Sequence, residues 1–526
     1  MAVAKAHAVS LLGIDGAVIE IEAHVGGGLP AFTLVGLPDT ALSEARDRVR
    51  AALINAGESF PDRRLTVALS PAMLPKSGAH YDLGIALAVI AANGKLPIES
   101  LHGLVLLGEL GLDGQLRRVR GVLPLALAAA AAGWSQLVVP EQNAAEAALV
   151  QDVSVLAVRS LRQLVAYLRG ESGDEEPPAR YVGGSAPPVA ASVPGEHLDL
   201  SDVLGQAEAR LAVEVAAAGG HHVFLTGPPG AGKTMLAERL PGLLPDLELA
   251  EALEVSAIHS VAGLLPEGEP LLRRPPFIDP HHTASVAAIV GGGSRIARPG
   301  SISLAHRGVL FLDEVPEFHP AVLEALRQPL ESGEVMIARS GGNARYPAAF
   351  QLVLASNPCP CGRGGGMNAE CTCLPAARAR YRQRLSGPVR DRIDITRTVS
   401  PVSRAELAAD RLHVETSATV ATRVAEARLR QRHRFREESW KLNAAIPASL
   451  LRSRYTPDIG GVQLVDRTAS TGRLSARGAD RVLRISWSVA DLAGADRPSA
   501  DHCALALALR LGDATTDSDD RGRRAG

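Results

Sequence analysis

A glycine-rich segment, Gly227-Pro-Pro-Gly-Ala-Gly-Lys-Thr234, constrains the fold of this chain more than any other feature. It fits the pattern G-x-x-x-x-G-K-[ST] in full, with an apolar run at His222–Thr226 before it and a helical run at Met235–Leu240 after it. Glycines let successive backbone N–H groups point at phosphates, and the start of a helix adds positive potential. A chance glycine-rich turn rarely lies between a strand and a helix. The segment therefore predicts a phosphate-binding loop in an α/β fold.

Two side chains of this loop have separate expected roles. Lys233 supplies a fixed positive charge to the phosphates, and the hydroxyl group of Thr234 can ligate Mg²⁺. ATP and Mg²⁺ are therefore the expected cofactors. The residues expected to surround the nucleotide are Gly227, Pro228, Pro229, Gly230, Ala231, Gly232, Lys233 and Thr234.

Two carboxylates follow a second apolar strand, Val309–Leu312. A buried strand would place Asp313 at its carboxyl end beside the phosphate loop, where it could hold the Mg²⁺ shell. Glu314, one residue farther, could polarise the attacking water. Acidic residues also cap helices, and a helix is predicted here over Val315–Leu330. The phosphate loop upstream favours the catalytic interpretation.

A third strand, Gln351–Ala355, ends just before Asn357. A side-chain amide at that edge could orient the water and sense the γ-phosphate. The alternative is a turn asparagine ahead of Pro358. The other two motifs favour the functional interpretation.

The length of the chain, 526 residues, is too great for one ordinary core. The segment Glu171–Glu196 is rich in Pro, Gly, Ser and acid and predicts a linker. The expected organisation is an α/β or α+β domain at 1–170, a linker at 171–197, an α/β core at 198–400, a helical lid at 401–512 and a disordered tail at 513–526.

The first of these blocks alternates strand-like and helical runs. The predicted strands are Ala17–Val25, Leu65–Leu69, Leu104–Leu107 and Leu137–Val139, and the predicted helices are Ala41–Asn55, Leu83–Ala92 and Leu125–Ala132.

The formal net charge is −2, so there is no global basic signal for nucleic acid. A ring-shaped motor can still bind DNA through a local basic channel. Met1–Ser10 lacks the pattern of a signal peptide, and the longest apolar stretch, Val122–Ala132, is too short to cross a bilayer. We therefore expect a cytoplasmic protein without membrane contact.

The succession of motifs resembles that of magnesium-chelatase-like AAA+ ATPases and, within them, the ComM (YifB) family. The resemblance implies an ATPase that assembles into a ring, a hexamer, and acts on DNA as a branch-migration helicase in natural transformation and recombination. The alternative is a chelatase-type or protein-remodelling ATPase that binds no DNA. The matching segments are Asp202–Gln206, Ala216–Gly220, Pro280–Ser285, Gly291–Gly293, Pro299–His306, Leu326–Glu331 and Asn357–Gly362.

The resemblance also implies roles for two arginines. Arg392 matches the finger that reaches the γ-phosphate of the neighbouring subunit, with Arg390 as its competitor. Arg477 matches the lid arginine that touches the nucleotide of its own subunit.

The N-terminal block resembles the proteolytic domain of Lon, a ribosomal-S5-like α+β fold. Pro75-Lys-Ser-Gly78 and Gly108–Gly114 carry this likeness. A peptidase of this kind needs a serine nucleophile and a lysine base. The matching stretches contain His80-Tyr-Asp-Leu83 and Leu123-Pro-Leu125 instead, and the adjacent Lys76 and Ser77 do not replace the dyad. No peptidase activity is expected.

Four cysteines form two C-x-C pairs around a glycine-rich loop. Four thiolates can close a tetrahedral Zn²⁺ site, although paired zinc ligands usually have two to four residues between them. A reduced small-residue loop is the alternative, and zinc is favoured. Cys503 is expected to lie on a helix, with its side chain in the apolar core. The candidate zinc ligands are Cys359, Cys361, Cys371 and Cys373.

Two segments are candidates for DNA contact. Arg339–Arg345 predicts a hairpin tip between Val335–Ala338 and Ala348–Leu354, and the resemblance implies that it projects into the ring pore. The loop Gly291–Arg298 is the second candidate, and ordinary exposed turns are the alternative for both. The arginine-rich run Arg423–Arg436 scatters its charges around a helix, which favours a solvated face.

Overall fold

The computed structural model describes residues 3–36, 40–171, 176–182, 198–266, 268–293, 297–339, 342–364, 371–402, 407, 410 and 414–512. The predicted tail at 513–526 and most of the predicted linker at 171–197 lie outside these residues.

The N-terminal part is built on one mixed sheet of eight strands in the order β10-β9-β8-β5-β1-β2-β4-β3. All of the strands predicted for this block are present, as are the helices predicted at Leu83–Ala92 and Leu125–Ala132; the helix predicted over Ala41–Asn55 is two helices separated at Glu44. The strands are β1 (Val3–Leu12), β2 (Asp15–Gly26), β3 (Ala31–Val35), β4 (Arg64–Ser70), β5 (Leu104–Leu106), β6 (Glu109–Leu110), β7 (Leu116–Arg117), β8 (Gln136–Pro140), β9 (Ser154–Val158) and β10 (Ala179–Tyr181). The helices are α1 (Thr40–Ser43), α2 (Ala45–Asn55), α3 (Asp82–Ala92), α4 (Val122–Ala131), α5 (Ala144–Ala147) and α6 (Leu161–Arg169).

The segment predicted as a linker contains one strand. β10 pairs antiparallel with β9, with Arg180 opposite Leu156. Tyr181 packs against an apolar cluster of the same sheet. The sheet therefore extends beyond residue 170, because the segment pairs with the open edge at β9 and buries Tyr181 against the sheet.

The middle of the chain is an α/β unit with a five-stranded parallel sheet in the order β12-β15-β18-β11-β19. The strands predicted at His222–Thr226, Val309–Leu312 and Gln351–Ala355 are confirmed as β11, β15 and β18. The strands of this unit are β11 (Val223–Thr226), β12 (Phe277–Ile278), β13 (Gly291–Gly292), β14 (Arg298–Pro299), β15 (Val309–Leu312), β16 (Glu334–Arg339), β17 (Gly342–Pro347), β18 (Gln351–Ser356) and β19 (Ile395–Thr398). Its helices are α7 (Ala207–Gly219), α8 (Lys233–Arg239), α9 (Leu249–Ala262), α10 (Val286–Val290), α11 (Ser301–Leu304), α12 (Pro320–Ala325), α13 (Pro329–Ser332), α14 (Pro375–Gln383) and α15 (Gly387–Arg390).

Two predicted elements of this unit are wrong. The single helix expected over Val315–Leu330 is a 3-10 turn followed by α12 and α13, since each piece has a proline within its first two positions. The run Ala348–Leu354, predicted as the second strand of the hairpin, does not close it. β17 pairs with β16 instead, with Arg339 opposite Gly342.

The C-terminal part is helical, as expected. Its helices are α16 (Ser417–Arg434), α17 (Ala448–Leu451), α18 (Ile459–Ser470), α19 (Ala476–Leu492) and α20 (Ala500–Leu511). They share one apolar core with the strand that leads into the glycine-rich loop, and Cys503 lies in that core. In the part of the chain that the structure describes, no helix is both long and apolar enough to span a bilayer.

The arginines expected on a solvated face are divided: Arg430, Arg432 and Arg436 are exposed, whereas Arg423 and Arg428 contact α7. Arg423 forms an ion pair with Glu214 at 2.8 Å, and the Arg428 guanidinium donates to the carbonyl oxygen of Ala217 at 2.9 Å. Cations favour the last turn of a helix because its carbonyl groups point outward there. Arg423 and Arg428 therefore fasten α16 to α7, the helix that precedes the glycine-rich loop.

The N-terminal sheet contacts the α/β unit at two places. At the first, the buried carboxylate of Glu146 accepts hydrogen bonds from the Leu123 amide and from the hydroxyl group of Ser260 on α9. At the second, the turn between β1 and β2 lies against the β16–β17 hairpin. A Cβ at Gly13 would lie 2.8 Å from the carbonyl oxygen of Arg345.

Candidate functional site

The carboxyl ends of β11, β15 and β18 meet at one edge of the parallel sheet, where ligands bind in open α/β sheets. The glycine-rich loop follows β11 and ends at α8. Gly232 has φ +94°, a left-handed conformation that glycine adopts without strain. Gly227 packs on β19 so closely that a Cβ would lie 2.1 Å from the Val399 carbonyl oxygen. These two positions therefore require glycine.

Lys233 lies inside the curve of this loop and is 7 % exposed. Its Nζ donates to the carbonyl oxygens of Gly227 at 2.8 Å and Pro228 at 3.0 Å, and to Asn357 Oδ1 at 3.2 Å. Burial lowers the pKa of Lys233, although the charges of Asp313 and Glu314 raise it. The ammonium group is thus aimed at the space that the loop encloses, with Asn357 beside it.

Thr234 and Asp313 form a pair of oxygen ligands at the first turn of α8. The Thr234 hydroxyl donates to Asp313 Oδ2 at 2.9 Å. Adjacent ligands of an octahedral Mg²⁺ with bonds of 2.0–2.1 Å lie about 2.9 Å apart. The donor types and their spacing therefore fit Mg²⁺.

Glu314 has a strained backbone, with φ +51° in the left-handed region. Its amide donates to Asp313 Oδ1 at 2.8 Å, which holds the turn together. Strain of this kind concentrates at functional sites, where the surrounding structure fixes it. The turn therefore points the carboxylates of Asp313 and Glu314 in different directions.

His282 contacts Glu314, which the sequence did not predict. Its Nδ1 lies 3.5 Å from Glu314 Oε2, and its ring lies 4.1 Å from that of His281. The two histidines were interpreted as an interaction loop. The signal that could have identified His282 is its place after a strand of the same sheet, since β12 is the neighbour of β15.

Gln206 was also missed as part of the site. It is buried, and its Nε2 donates to the carbonyl oxygens of Ala231 at 3.2 Å and Ser400 at 2.6 Å. It therefore joins the glycine-rich loop to the segment after β19. The segment Asp202–Gln206 carried the family resemblance but gave no indication of this contact.

Arg477 begins the first turn of α19 and is 80 % exposed at its side chain. Its Nη1 donates to Asp391 Oδ2 at 3.2 Å, next to the candidate finger Arg392. One turn later, Arg481 donates to the Asp391 carbonyl oxygen at 2.7 Å and forms an ion pair with buried Asp394. Burial raises the pKa of Asp394, but the hydrogen bond from His221 and the charge of Arg481 hold it far below its usual value.

The structure does not bring Arg392 to the loop, Asp313, Glu314 or Asn357. Among the described residues, its guanidinium donates to the Pro388 carbonyl oxygen at 2.7 Å and forms an ion pair with Glu331. Its competitor Arg390 is exposed. Arg392 therefore lies outside the site that its own chain forms.

The four cysteines come together. The sulfur of Cys359 lies 3.3 Å from that of Cys361 and 3.6 Å from that of Cys371, and all four sulfurs lie within 4.8 Å of one another. Tetrahedral Zn²⁺ with Zn–S bonds of 2.3 Å places sulfurs about 3.8 Å apart. The cluster fits a thiophilic divalent ion despite its short C-x-C spacing.

The two candidate DNA segments are neighbours. Arg339 Nε donates to the Gly293 carbonyl oxygen at 2.9 Å, and the Tyr346 hydroxyl donates to that of Ala297 at 2.8 Å. The β16–β17 hairpin is thus bonded to both sides of the β13–β14 loop, whose Arg298 is exposed. The hairpin residues 340–341 and the loop residues 294–296, with Arg295, lie outside the described residues.

Comparisons with known proteins agree with this arrangement. Three family models match in succession: "Subunit ChlI of Mg-chelatase" over residues 21–143, "Magnesium chelatase, subunit ChlI" over 199–407, and "Magnesium chelatase, subunit ChlI C-terminal" over 414–510. The protein YifB of Escherichia coli is 41 % identical over 510 residues, which cover 97 % of each chain. The competence protein ComM of Haemophilus influenzae is 40 % identical over 511 residues, which cover 97 % of this chain and 98 % of ComM.

The chain belongs to the YifB/ComM family of magnesium-chelatase-like AAA+ proteins.

Two further relatives differ in how much of this YifB/ComM family chain they match. An uncharacterized protein of Mycobacterium tuberculosis is 52 % identical over 510 residues, which cover 97 % of this chain and 99 % of that protein. The magnesium-chelatase 38 kDa subunit of Rhodobacter capsulatus is 30 % identical over 177 residues, which cover 30 % of this chain and 49 % of the subunit. The likeness to YifB and ComM thus runs through the whole chain, whereas the likeness to this chelatase subunit is limited to part of it.

Proposed function

We propose that the chain binds ATP with Mg²⁺ and hydrolyses it at the edge where β11, β15 and β18 end. The observation that carries this proposal is the meeting of Lys233 with Asn357 and of Thr234 with Asp313. An ammonium group, a hydroxyl, a carboxylate and an amide from three sequence-distant segments converge on one glycine-rich loop. Phosphoryl transfer needs this combination of charge and orientation.

Each residue has a distinct part in the proposed reaction. Lys233 exchanges its carbonyl partners for phosphate oxygens, and the N–H groups of the loop bind the remaining phosphate oxygens. Thr234 and Asp313 hold Mg²⁺, which neutralises phosphate charge. Glu314 accepts a proton from the attacking water, and Asn357 orients that water. Arg477, on the lid, contacts the nucleotide of its own chain.

We infer that the protein works as a ring, with a hexamer as the expected state. The support is the position of Arg392, which lies outside the site of its own chain. Its side chain is 15 % exposed and paired with Glu331, so a neighbour's phosphate would replace Glu331 as its partner. A finger supplied in trans makes hydrolysis depend on assembly.

We further propose that the motor acts on DNA, as a branch-migration helicase with a role in natural transformation and recombination. The relative from Haemophilus influenzae is named a competence protein, and the likeness to it runs along the whole chain. Arg345 lies on the exposed face of the β16–β17 hairpin, opposite Met336, and Arg298 is exposed on β14. Arg339 lies on the other face of the hairpin, where it donates to the Gly293 carbonyl oxygen. A motor that tracks a nucleic-acid backbone needs local positive charge of this kind rather than a basic surface overall.

A chelatase-type or protein-remodelling ATPase without DNA binding is the second candidate, because the matching family models are named for magnesium chelatase. Measuring ATP hydrolysis with and without DNA distinguishes the DNA motor from this second candidate. The DNA motor predicts faster hydrolysis with single-stranded or branched DNA, and a salt-dependent response. Hydrolysis that does not respond to any DNA structure supports the second candidate.

Zinc is proposed as a structural metal held by Cys359, Cys361, Cys371 and Cys373. The spacing of their sulfur atoms supports it. We expect about one zinc per chain after reducing, chelator-free purification. Elemental analysis that finds no zinc contradicts the proposal, and a visible iron–thiolate absorption would replace zinc by iron.

The Lon-like character of residues 1–170 remains our proposal, as do the boundaries of the linker, core and lid. Where a peptidase of that fold needs its serine, His80 contacts the Val9 carbonyl oxygen at 2.9 Å. Lys76 is buried and donates to the Pro71 carbonyl oxygen. Neither side chain is placed to activate a nucleophile, which supports a non-peptidase domain.

A further inference from the structure

The four-cysteine cluster lies between the two halves of the proposed ATPase machinery. Asn357, in the site of its own chain, is two residues before Cys359, and α14 begins two residues after Cys373. α14 leads through α15 to Arg392, the proposed finger. The cluster therefore closes the connection between the end of β18 and the segment that serves the neighbouring subunit.

The near half of the cluster, Cys359 and Cys361, is held by its own turn. The Gly362 amide donates to the Cys359 carbonyl oxygen at 2.9 Å, and the Gly364 amide donates to its sulfur at 3.2 Å. Gly362 has φ +74°, and a Cβ there would lie 2.8 Å from the ring of Pro229. This half packs directly on the glycine-rich loop, and backbone hydrogen bonds fix it without a metal.

Among the described residues, which resume at Cys371, the far half, Cys371 and Cys373, has no comparable packing at its junction with α14. Leu374 is 74 % exposed, and Pro375 and Ala376 are exposed as well. The anchors of α14 lie at its other end, where buried Tyr381 hydrogen-bonds Ser356 and the Arg384 guanidinium donates to the Pro316 carbonyl oxygen at 2.6 Å. Tyr381 thus joins the far end of α14 to Ser356, the last residue of β18. The start of α14 is joined to the same strand end through the sulfur atoms of Cys371 and Cys373.

We propose that the metal at this cluster is a tie that fixes α14, and through it Arg392, relative to Asn357 and the glycine-rich loop. The inference rests on the proposed ATPase function and on Arg392 as its finger. Zinc binds four thiolates, whose protons pass to solvent, and its binding free energy orders the segment that carries the ligands. Whether the metal is bound then determines whether this chain places Arg392 correctly for the site of its neighbour. Nucleotide binding by the chain itself depends on the near half, which keeps its own hydrogen bonds.

The test compares the full-length protein with Cys371→Ser/Cys373→Ser, which removes the far half and leaves Cys359 and Cys361 beside Asn357. Cys503→Ala, a buried cysteine outside the cluster, is the matched control. Four quantities are measured: zinc content, affinity for a fluorescent ATP analogue, hydrogen–deuterium exchange over residues 375–392, and ATP hydrolysis. Hydrolysis is measured for each protein alone and after mixing with Lys233→Ala chains, in which the four cysteines and Arg392 are intact.

We expect the double variant to lose its zinc, bind the analogue within about twofold of wild type and exchange faster over residues 375–392. Its hydrolysis should fall by roughly tenfold or more, because a displaced finger contributes little to the transition state. Mixing with Lys233→Ala should restore part of the activity, since one mixed interface combines an intact loop with a fixed finger. The control should match wild type in all four measurements.

Three results overturn the tie: a wild-type protein without metal, a zinc-free double variant with wild-type exchange and hydrolysis, or a loss of nucleotide affinity as large as the loss of hydrolysis. Failure of the finger assignment is recognised separately. In that case Arg392→Ala chains do not recover hydrolysis when mixed with Lys233→Ala chains, whereas the exchange over residues 375–392 still reports whether zinc orders α14.

Discussion

The ammonium group of Lys233 lies 3.2 Å from the side-chain oxygen of Asn357, so a single contact joins the loop after β11 to the end of β18. The two residues are far apart in sequence and follow neighbouring strands of the parallel sheet, β11 and β18. A γ-phosphate bound to Lys233 would therefore lie within reach of the Asn357 amide. Binding of the γ-phosphate is thus assigned to Lys233, and positioning of the attacking water is assigned to Asn357 beside it.

The first prediction separates nucleotide binding from hydrolysis. Lys233→Ala should abolish ATP binding, because no other ammonium or guanidinium group lies inside the loop among the described residues. Glu314→Gln should retain binding and stall turnover, because it removes the proton acceptor and keeps the shape of the side chain. Equilibrium binding of a fluorescent ATP analogue and phosphate release measure the two effects. A Glu314→Gln variant that hydrolyses ATP at the wild-type rate shows that the assignment of Glu314 is wrong.

The second prediction concerns His282 as a positioning residue for Glu314. Its Nδ1 lies 3.5 Å from the Glu314 carboxylate, on a turn that is already strained. His282→Ala should lower kcat by roughly tenfold through misplacement of the carboxylate. ATP affinity should stay within about twofold, because His282 contacts none of the phosphate-binding groups in the described structure.

His281→Ala is the matched control, since His281 is exposed and its ring nitrogen bonds to Thr283 at 2.8 Å. His282→Asn, which keeps a side-chain N–H, should recover part of the rate. Equal losses in the His281 and His282 variants would point to the loop as a whole rather than to the contact with Glu314.

The strands that carry the candidate site could be predicted because a buried parallel strand is a continuous apolar run. Val309–Leu312 and Gln351–Ser356 are buried at every residue, so their ends mark Asp313 and Asn357 without further information. The phosphate loop is recognised in the same local way. Each of these parts of the site is formed by a contiguous stretch of sequence. The structure places them at the carboxyl ends of the predicted strands, as expected.

The parts that could not be predicted depend on tertiary contacts. The place of His282 after β12 is the signal that would bring it to Glu314, but β12 has two residues, so the strand pattern in the sequence is weak. The hairpin partner was misassigned because Gly342–Pro347 contains glycine, asparagine and proline, which are depleted in strands, whereas Ala348–Leu354 reads as a strand. Pairing across the hairpin outweighs these propensities.

The third prediction concerns DNA contact by the β16–β17 hairpin. Arg345 is 60 % exposed at its side chain and forms an ion pair with Glu334 at 3.3 Å, so it can turn to a phosphate at little cost. Arg345→Gln should weaken DNA binding and reduce the slope of log affinity against log salt by about one. The effect should be similar for all DNA sequences.

The matched control is Arg159→Gln, an arginine of the N-terminal sheet in an exposed ion pair with Glu141 at 2.9 Å. It should leave both DNA affinity and its salt slope unchanged. Titration of labelled DNA at several salt concentrations gives both quantities. An unchanged slope for Arg345→Gln removes the hairpin from the proposed DNA interface.

The last prediction is that Arg392 acts between subunits. Within its own chain Arg392 is paired with Glu331, and none of its contacts is with the loop, Asp313 or Asn357 in the described residues. Among the described residues, Lys233 is the buried cation of that cis site, and the exposed Arg477 donates to Asp391 instead. A finger from a neighbour is worth roughly 10³ to 10⁵ in rate in other phosphoryl-transfer systems.

Arg392→Ala and Lys233→Ala chains should each be nearly inactive alone, and mixing them should restore part of the hydrolysis. At an interface where the Arg392→Ala chain supplies the loop and the Lys233→Ala chain supplies the finger, both halves of the site are intact. The opposite pairing is defective in both halves, so recovery must be incomplete. Phosphate release across a series of mixing ratios, with assembly checked by light scattering, measures it. If mixed rings assemble but stay inactive, Arg392 is not the trans finger, and the exposed Arg390 becomes the residue to test by the same mixing.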